Sequence, residues 1–135
     1  MKAFVTASVF AFSAAPAFAW VQQTDFRGLE IFDYEAGAVD LQIICDPQGA
    51  FVPPIFSATI SLDGVDYEGD LTFRSSAGTF NARAMNGGIS GNDRDSWTNM
   101  INAFRSSAQI ELDAGGRTYH LDTSDPLSVP CGIEI

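Results

Sequence analysis

The chain has 135 residues and carries 7 Lys and Arg against 17 Asp and Glu, for a formal net charge of −10. A balance this acidic argues against nucleic acid and anionic membrane surfaces as partners, and it admits a basic protein or cations. With 2 cysteines and 1 histidine, few groups are left for thiol, metal or imidazole chemistry.

The first residues predict a compartment. Met1-Lys2 is a short basic segment, and residues 3–15 are almost wholly apolar, broken by Thr6, Ser8 and Ser13. Pro16 then precedes Ala17-Phe18-Ala19, an A-x-A cleavage pattern. Together these read as a secretory signal peptide over 1–19, with the mature chain starting at Trp20 as one disulfide-bonded, β-rich domain over 20–135. The apolar run is too short to span a bilayer stably, and no later segment resembles a span. With no Cys at the cleavage point, a lipid anchor is not expected. The mature chain keeps six arginines and no lysine against all 17 acids, a formal charge of −11. Export to the periplasm or the medium predicts that Cys45 and Cys131 pair. Closing a loop of that length is worth about 4–5 kcal/mol on chain-entropy grounds.

Residues 28–34 and 39–45 read as two strands around Glu35-Ala36-Gly37-Ala38, with Val39, Leu41, Ile43 and Cys45 on one face. The clearest alternation runs from Phe56 to Leu62, where Phe56, Ala58, Ile60 and Leu62 alternate with Ser57, Thr59 and Ser61. Asp63-Gly64 is a preferred pair for a type I′ turn. A return strand over 65–74 would then pair Leu62 with Val65, Ile60 with Tyr67, Ala58 with Gly69 and Phe56 with Leu71. The opposite face would set Ser61, Thr59 and Ser57 against Asp66, Glu68 and Asp70. A loop at 75–78 leads into a third strand, with Phe73 facing Phe80 and Leu71 facing Ala82, ending at Asn86-Gly87-Gly88. Trp97, Met100, Ile101 and Phe104 are spaced i, i+3, i+4, i+7, so one amphipathic helix is expected over about 94–106. Asp93, Asp95 or Ser96 can cap its start, and Arg105 suits its end. A second hairpin turns at Gly115-Gly116, pairing Leu112 with Tyr119 and Ile110 with Leu121. The alternation of Val129, Cys131, Ile133 and Ile135 reads as a short last strand. The predicted fold is mainly β: an antiparallel sandwich or partly open barrel of about eight strands with one helix.

Motifs with chemical content are sparse. His120 falls on an outer strand face opposite Glu111, with no Ser in a G-x-S-x-G setting. The run Asp63, Asp66, Glu68, Asp70 does not match the calcium-loop spacing, and helix capping accounts for the oxygen cluster at Asn92-Asp93-Arg94-Asp95. No carboxylate pair is singled out for glycoside hydrolysis. No catalytic residue, metal ligand or cofactor is therefore assigned. The candidate partner face is Asp66, Glu68 and Asp70, three carboxylates at alternate positions that would meet a cationic partner.

The order of features carries a resemblance. A leader is followed by Trp20, a Cys at the end of the second strand and a β-meander. The helix Trp97–Arg105 then runs into the hairpin Gln109–Arg117, and a Cys lies near the end. This layout resembles the invasion-associated locus B-like proteins and related small periplasmic proteins of proteobacteria. It departs from them in having fewer cysteines, and Thr123–Pro130 is too short and proline-broken for the helix they place before the last Cys. The resemblance implies an envelope-associated, non-enzymatic role. The sequence thus points first to a non-catalytic exported module for an unknown protein partner. An acidic inhibitor of a basic secreted enzyme such as lysozyme comes second, and a small hydrolase or calcium-dependent binder third.

Overall fold

The computed structural model describes residues 20–128 and 131. Among these, ten strands and one helix follow in the order β1 (Val21–Thr24), β2 (Glu30–Ala36), β3 (Val39–Cys45), β4 (Phe56–Leu62), β5 (Val65–Asp66), β6 (Gly69–Ser75), β7 (Gly78–Ala84), β8 (Gly88–Ser90), α1 (Arg94–Ser106), β9 (Gln109–Ala114) and β10 (Arg117–Asp122). They form two antiparallel sheets. One is ordered β1-β2-β3-β4-β5, with β8 also on β4, and the other β10-β9-β6-β7. The apolar members of each alternation are the buried ones: Phe32 and Tyr34, Val39 to Cys45 at every second position, Ala58, Ile60 and Leu62 from the first sheet, and Leu71, Phe73, Ile110 and Leu112 from the second. They belong to a single core, as expected of a β-sandwich-like arrangement.

The hairpin expected over 56–74 is only partly formed, and the difference decides the topology. Leu62–Val65 and Ser61–Asp66 pair as expected across Asp63-Gly64. Tyr67 still donates its N–H to the Ile60 carbonyl at 3.1 Å, but the Ile60 N–H goes to Gly87 O and the Gly87 N–H to Tyr67 O, each at 2.8 Å. The Asn86-Gly87 turn has wedged between the two strands. The chain leaves the first sheet through Gly69, whose φ of +136° is open to few other residues, and re-enters as β6 of the second sheet. The expected pairs Ala58–Gly69, Phe56–Leu71, Thr59–Glu68 and Ser57–Asp70 do not exist; β4 pairs there with β8, as Ala58–Ile89 and Thr59–Gly88.

That wedge is itself a type I′ turn, with φ of +51° at Asn86 and +78° at Gly87. A Cβ on Gly87 would sit 2.7 Å from Asp66 Cβ, so only glycine fits. The other expected registers are present: Phe73–Phe80 and Leu71–Ala82, and Leu112–Tyr119, Ile110–Leu121 and Glu111–His120.

Helix α1 starts and stops where its sequence says. Asp93 caps it by accepting the Ser96 N–H at 3.3 Å, and Trp97, Met100, Ile101 and Phe104 are buried. Its flank also covers the free edge of β7. The Arg83 N–H donates to Ser96 Oγ at 2.9 Å, and Asn99 Nδ2 donates to the Asn81 carbonyl at 2.7 Å. Two open backbone groups of an edge strand are thereby satisfied by side chains. Cys45 and Cys131 are joined by a disulfide with Cα atoms 5.5 Å apart, and Trp97 Nε1 donates to the Cys131 carbonyl at 2.8 Å. The strand expected around Cys131 otherwise lies outside the described residues, as does the signal peptide expected over 1–19. No helix among the described residues is long and apolar enough to cross a membrane.

Candidate functional site

Two loops at one end of the first sheet gather the most exposed large apolar side chains. The β1–β2 loop is organised by Asp25. One carboxylate oxygen accepts the backbone N–H groups of Arg27 and Leu29 at 2.8 and 3.0 Å, and the other accepts Arg27 Nε and Nη2 at 3.0 and 2.9 Å. These two charge-assisted hydrogen bonds to one oxygen fix the Arg27 guanidinium over two rings, 4.7 Å from the Phe51 centroid and 5.3 Å from the Phe26 centroid. Phe26 itself is 96% exposed.

The β3–β4 loop is organised by Asp46, the buried residue that follows Cys45. Its carboxylate accepts the N–H groups of Ala50 at 2.7 Å, Phe51 at 3.0 Å and Ile55 at 3.3 Å. Burial pushes this carboxyl up, but the N–H groups of Phe51, Ala50 and Ile55 outweigh it and hold it below the ordinary carboxylate range. The loop is thus pinned at both ends by one side chain, and the next residue back is locked in the disulfide. Between the pins, Val52 is 97% exposed, and the exposed Pro53 follows it through a cis peptide.

Behind Val52 the loop forms one wall of a groove of about 660 Å³, residues 51–56 facing residues 90–92 and Arg94. The Phe56 ring closes its inner end, 5.9 Å edge-on from Trp97, and the Phe56 carbonyl accepts the Gly91 N–H at 2.8 Å.

The residues singled out from the sequence lie elsewhere. Asp66, Glu68 and Asp70 are all exposed but do not share a strand face. Asp66 is on β5 in the first sheet and accepts from Ser61 Oγ at 2.9 Å; Asp70 is on β6 in the second sheet, opposite Arg83; Glu68 lies in the crossover. The break at Gly69 disperses a cluster that a continuous strand would have aligned. His120 has a side chain 78% exposed and stands 3.6 Å from Glu111 on the outer face of the second sheet. Next to it Arg74 pairs with both Glu111 and Asp113, and Thr118 Oγ1 donates to Asp113 at 2.6 Å. These carboxylates are occupied as a surface ion-pair network. Asp63 is likewise occupied, taking Arg117 and Tyr119 Oη at 2.8 Å each. Among the described residues no group of three or more His, Cys, Asp or Glu could hold a metal ion.

No family model, no curated protein and no solved structure matches the chain.

The apolar loop surface escaped the sequence reading, although a signal was present. Residues 50–56, Ala-Phe-Val-Pro-Pro-Ile-Phe, are apolar throughout, yet Pro53-Pro54 forbids a central strand there. An apolar run that can be neither strand nor helix lies in a loop, where some of it faces water.

Proposed function

We propose that the protein is a non-catalytic exported module. In this reading residues 1–19 are removed, the mature chain resides in the periplasm or the medium, and a protein partner docks on the apolar surface of Phe26, Phe51 and Val52. The observation that carries the reading is the pairing of exposure with anchoring. Phe26 and Val52 stand almost wholly in water on loops that Asp25 and Asp46 hold in place. Leaving a large apolar side chain in water forgoes about 1.5–3 kcal/mol of burial, and a contiguous exposed apolar patch is the usual mark of an interaction site. The exported location is supported by the buried disulfide, by the leader pattern and by the layout that resembles small periplasmic proteins. The non-catalytic reading is supported by the surroundings of the ionisable groups, since His120 stands open on an outer face and Glu111 and Asp113 are held by Arg74.

Binding of a basic enzyme through Asp66, Glu68 and Asp70 has weaker support, because those carboxylates stand on different elements and Asp66 already has a hydrogen-bond donor. The test is site-specific photo-crosslinking in cells exporting the full chain. A photo-reactive residue at position 52 should give a discrete cross-linked product, and one at position 72, on the outer face of the second sheet, should not. Equal products from both positions, or none from position 52, would refute the assignment.

A further inference from the structure

The groove behind Val52 has a charge character unlike the rest of the chain. Six arginines face 17 acids after residue 19, yet among the described residues that line the groove none is acidic and the only charged one is Arg94. Arg94 is exposed, and its side chain makes no hydrogen bond or ion pair among the described residues. The other arginine of the surface, Arg27, is neutralised by Asp25 and serves to stack the two phenylalanines together. Of the acids next to Arg94 in sequence, Asp93 is committed to the helix cap, and neither Asp93 nor Asp95 lines the groove. The groove therefore offers one apolar wall, residues 51–56, facing a polar one of Ser90, Gly91 and Asn92, with one cation that has no ion-pair partner among the described residues.

We infer that the groove takes an apolar peptide segment bearing a carboxylate, which Arg94 receives while the flanking side chains pack on Phe51, Val52 and Phe56. This rests on the partner-binding reading given above. A guanidinium meets a carboxylate with two parallel hydrogen bonds, so it selects for that group over an amide of the same shape. The overall charge of the chain does not oppose this at short range, because at physiological ionic strength fields decay over about 8 Å. A protein segment fits better than a lone acyl chain. The apolar surface continues out of the groove over Val52 and, through Arg27, to Phe26, an extent that a polypeptide can cover.

The test uses the full, disulfide-bonded protein and a random heptapeptide library displayed on beads, at about 0.15 M salt, where the screening length is about 8 Å. Enriched sequences should combine aromatic or aliphatic residues with Asp or Glu. Synthetic representatives should bind Arg94→Gln about tenfold more weakly than the parent, the usual scale for losing one charge-assisted pair. Replacing the peptide's acid by its amide should cost the same factor on the parent and nothing further on Arg94→Gln, since both changes remove one contact. Val52→Ser should weaken all of these peptides. Enrichment of apolar peptides with no preference for acids, or indifference to Arg94→Gln, would overturn the charge assignment and leave the apolar docking surface standing. Absence of any enrichment, or binding to phosphatidylcholine vesicles that is lost in Phe26→Ser, would overturn both. Arg94 is exposed in the first turn of α1, so the variant should keep the parent's circular dichroism, which is checked first.

Discussion

Phe104→Ala tests whether α1 is part of the core. Phe104 is fully buried, with its ring 5.2 Å from Trp20 and 5.4 Å from Phe73, both edge-on. It therefore touches the start of the described chain, the centre of the second sheet and the helix stripe at once. Emptying an aromatic core site costs about 3–5 kcal/mol. Two edge-on aromatic pairs add about 0.5–1.5 kcal/mol each beyond area burial, which favours the upper half of that range. The Phe104 backbone is also tied to the segment after β10, since the Leu127 N–H donates to the Phe104 carbonyl at 2.8 Å. Urea melts of the oxidised protein measure the difference directly, provided the slope with denaturant is unchanged. A loss below about 1 kcal/mol would mean that the helix packs loosely and its stripe is not core, contrary to the packing described. Phe104→Leu serves as the control and should lose much less, since it keeps most of the apolar volume.

Asp46 gives stability a pH dependence of defined sign. Its carboxyl is depressed in the folded chain, so its contribution is present above the ordinary carboxylate value of about 3.9 and is lost as pH falls through the folded value. Asp46→Asn should be less stable than the parent near neutrality, with the gap closing below about pH 4; a gap that stays constant with pH would refute the pinning role. Gly87→Ala should lose about 1–3 kcal/mol, because it forces a side chain into a positive-φ turn against Asp66, and a loss within 0.3 kcal/mol in thermal melts would show the wedge to be loosely packed. Reduction should cost about 4–5 kcal/mol. Both cysteines are joined in the disulfide and offer no thiol, so alkylation of the unreduced protein should be negligible; protein from the periplasm should have the mass of residues 20–135 less two hydrogens.

Most of the architecture is legible because most of it is set by local patterns. The helix boundaries follow from Asp93 and the apolar spacing, and the β9–β10 register follows from Gly115-Gly116. The β4–β6 connection is different. Val65 to Arg74 reads as one uninterrupted alternating strand, and every pair it would make with β4 is chemically acceptable. What prevents that pairing is a competitor from farther along the chain. The Asn86-Gly87 turn takes the Ile60 N–H and gives its own N–H to Tyr67, and Gly69 supplies the bend that lets the strand leave. Both glycines are visible in the sequence, and Asn-Gly is the strongest short hairpin signal there is. Their joint consequence is a tertiary event, because a turn wins a place beside β4 only if β8 behind it, with Ile89, can be buried there better than the second half of the first hairpin.

The same crossover separates the acidic residues onto different elements, whereas the apolar loop has another origin. A charge cluster inferred from alternation exists only while the strand stays in one sheet, and Gly69 breaks that condition between Glu68 and Asp70. The apolar surface depends on no strand register. It arises because Asp25 and Asp46, two carboxylates that accept backbone N–H groups, fix loops that turn Leu29 inward and leave Phe26 and Val52 in water. In an acidic chain the informative carboxylates are therefore those that bind their own backbone. Those facing solvent leave the loops free to choose their shape, whereas Asp25 and Asp46 determine which hydrophobic groups stand in water.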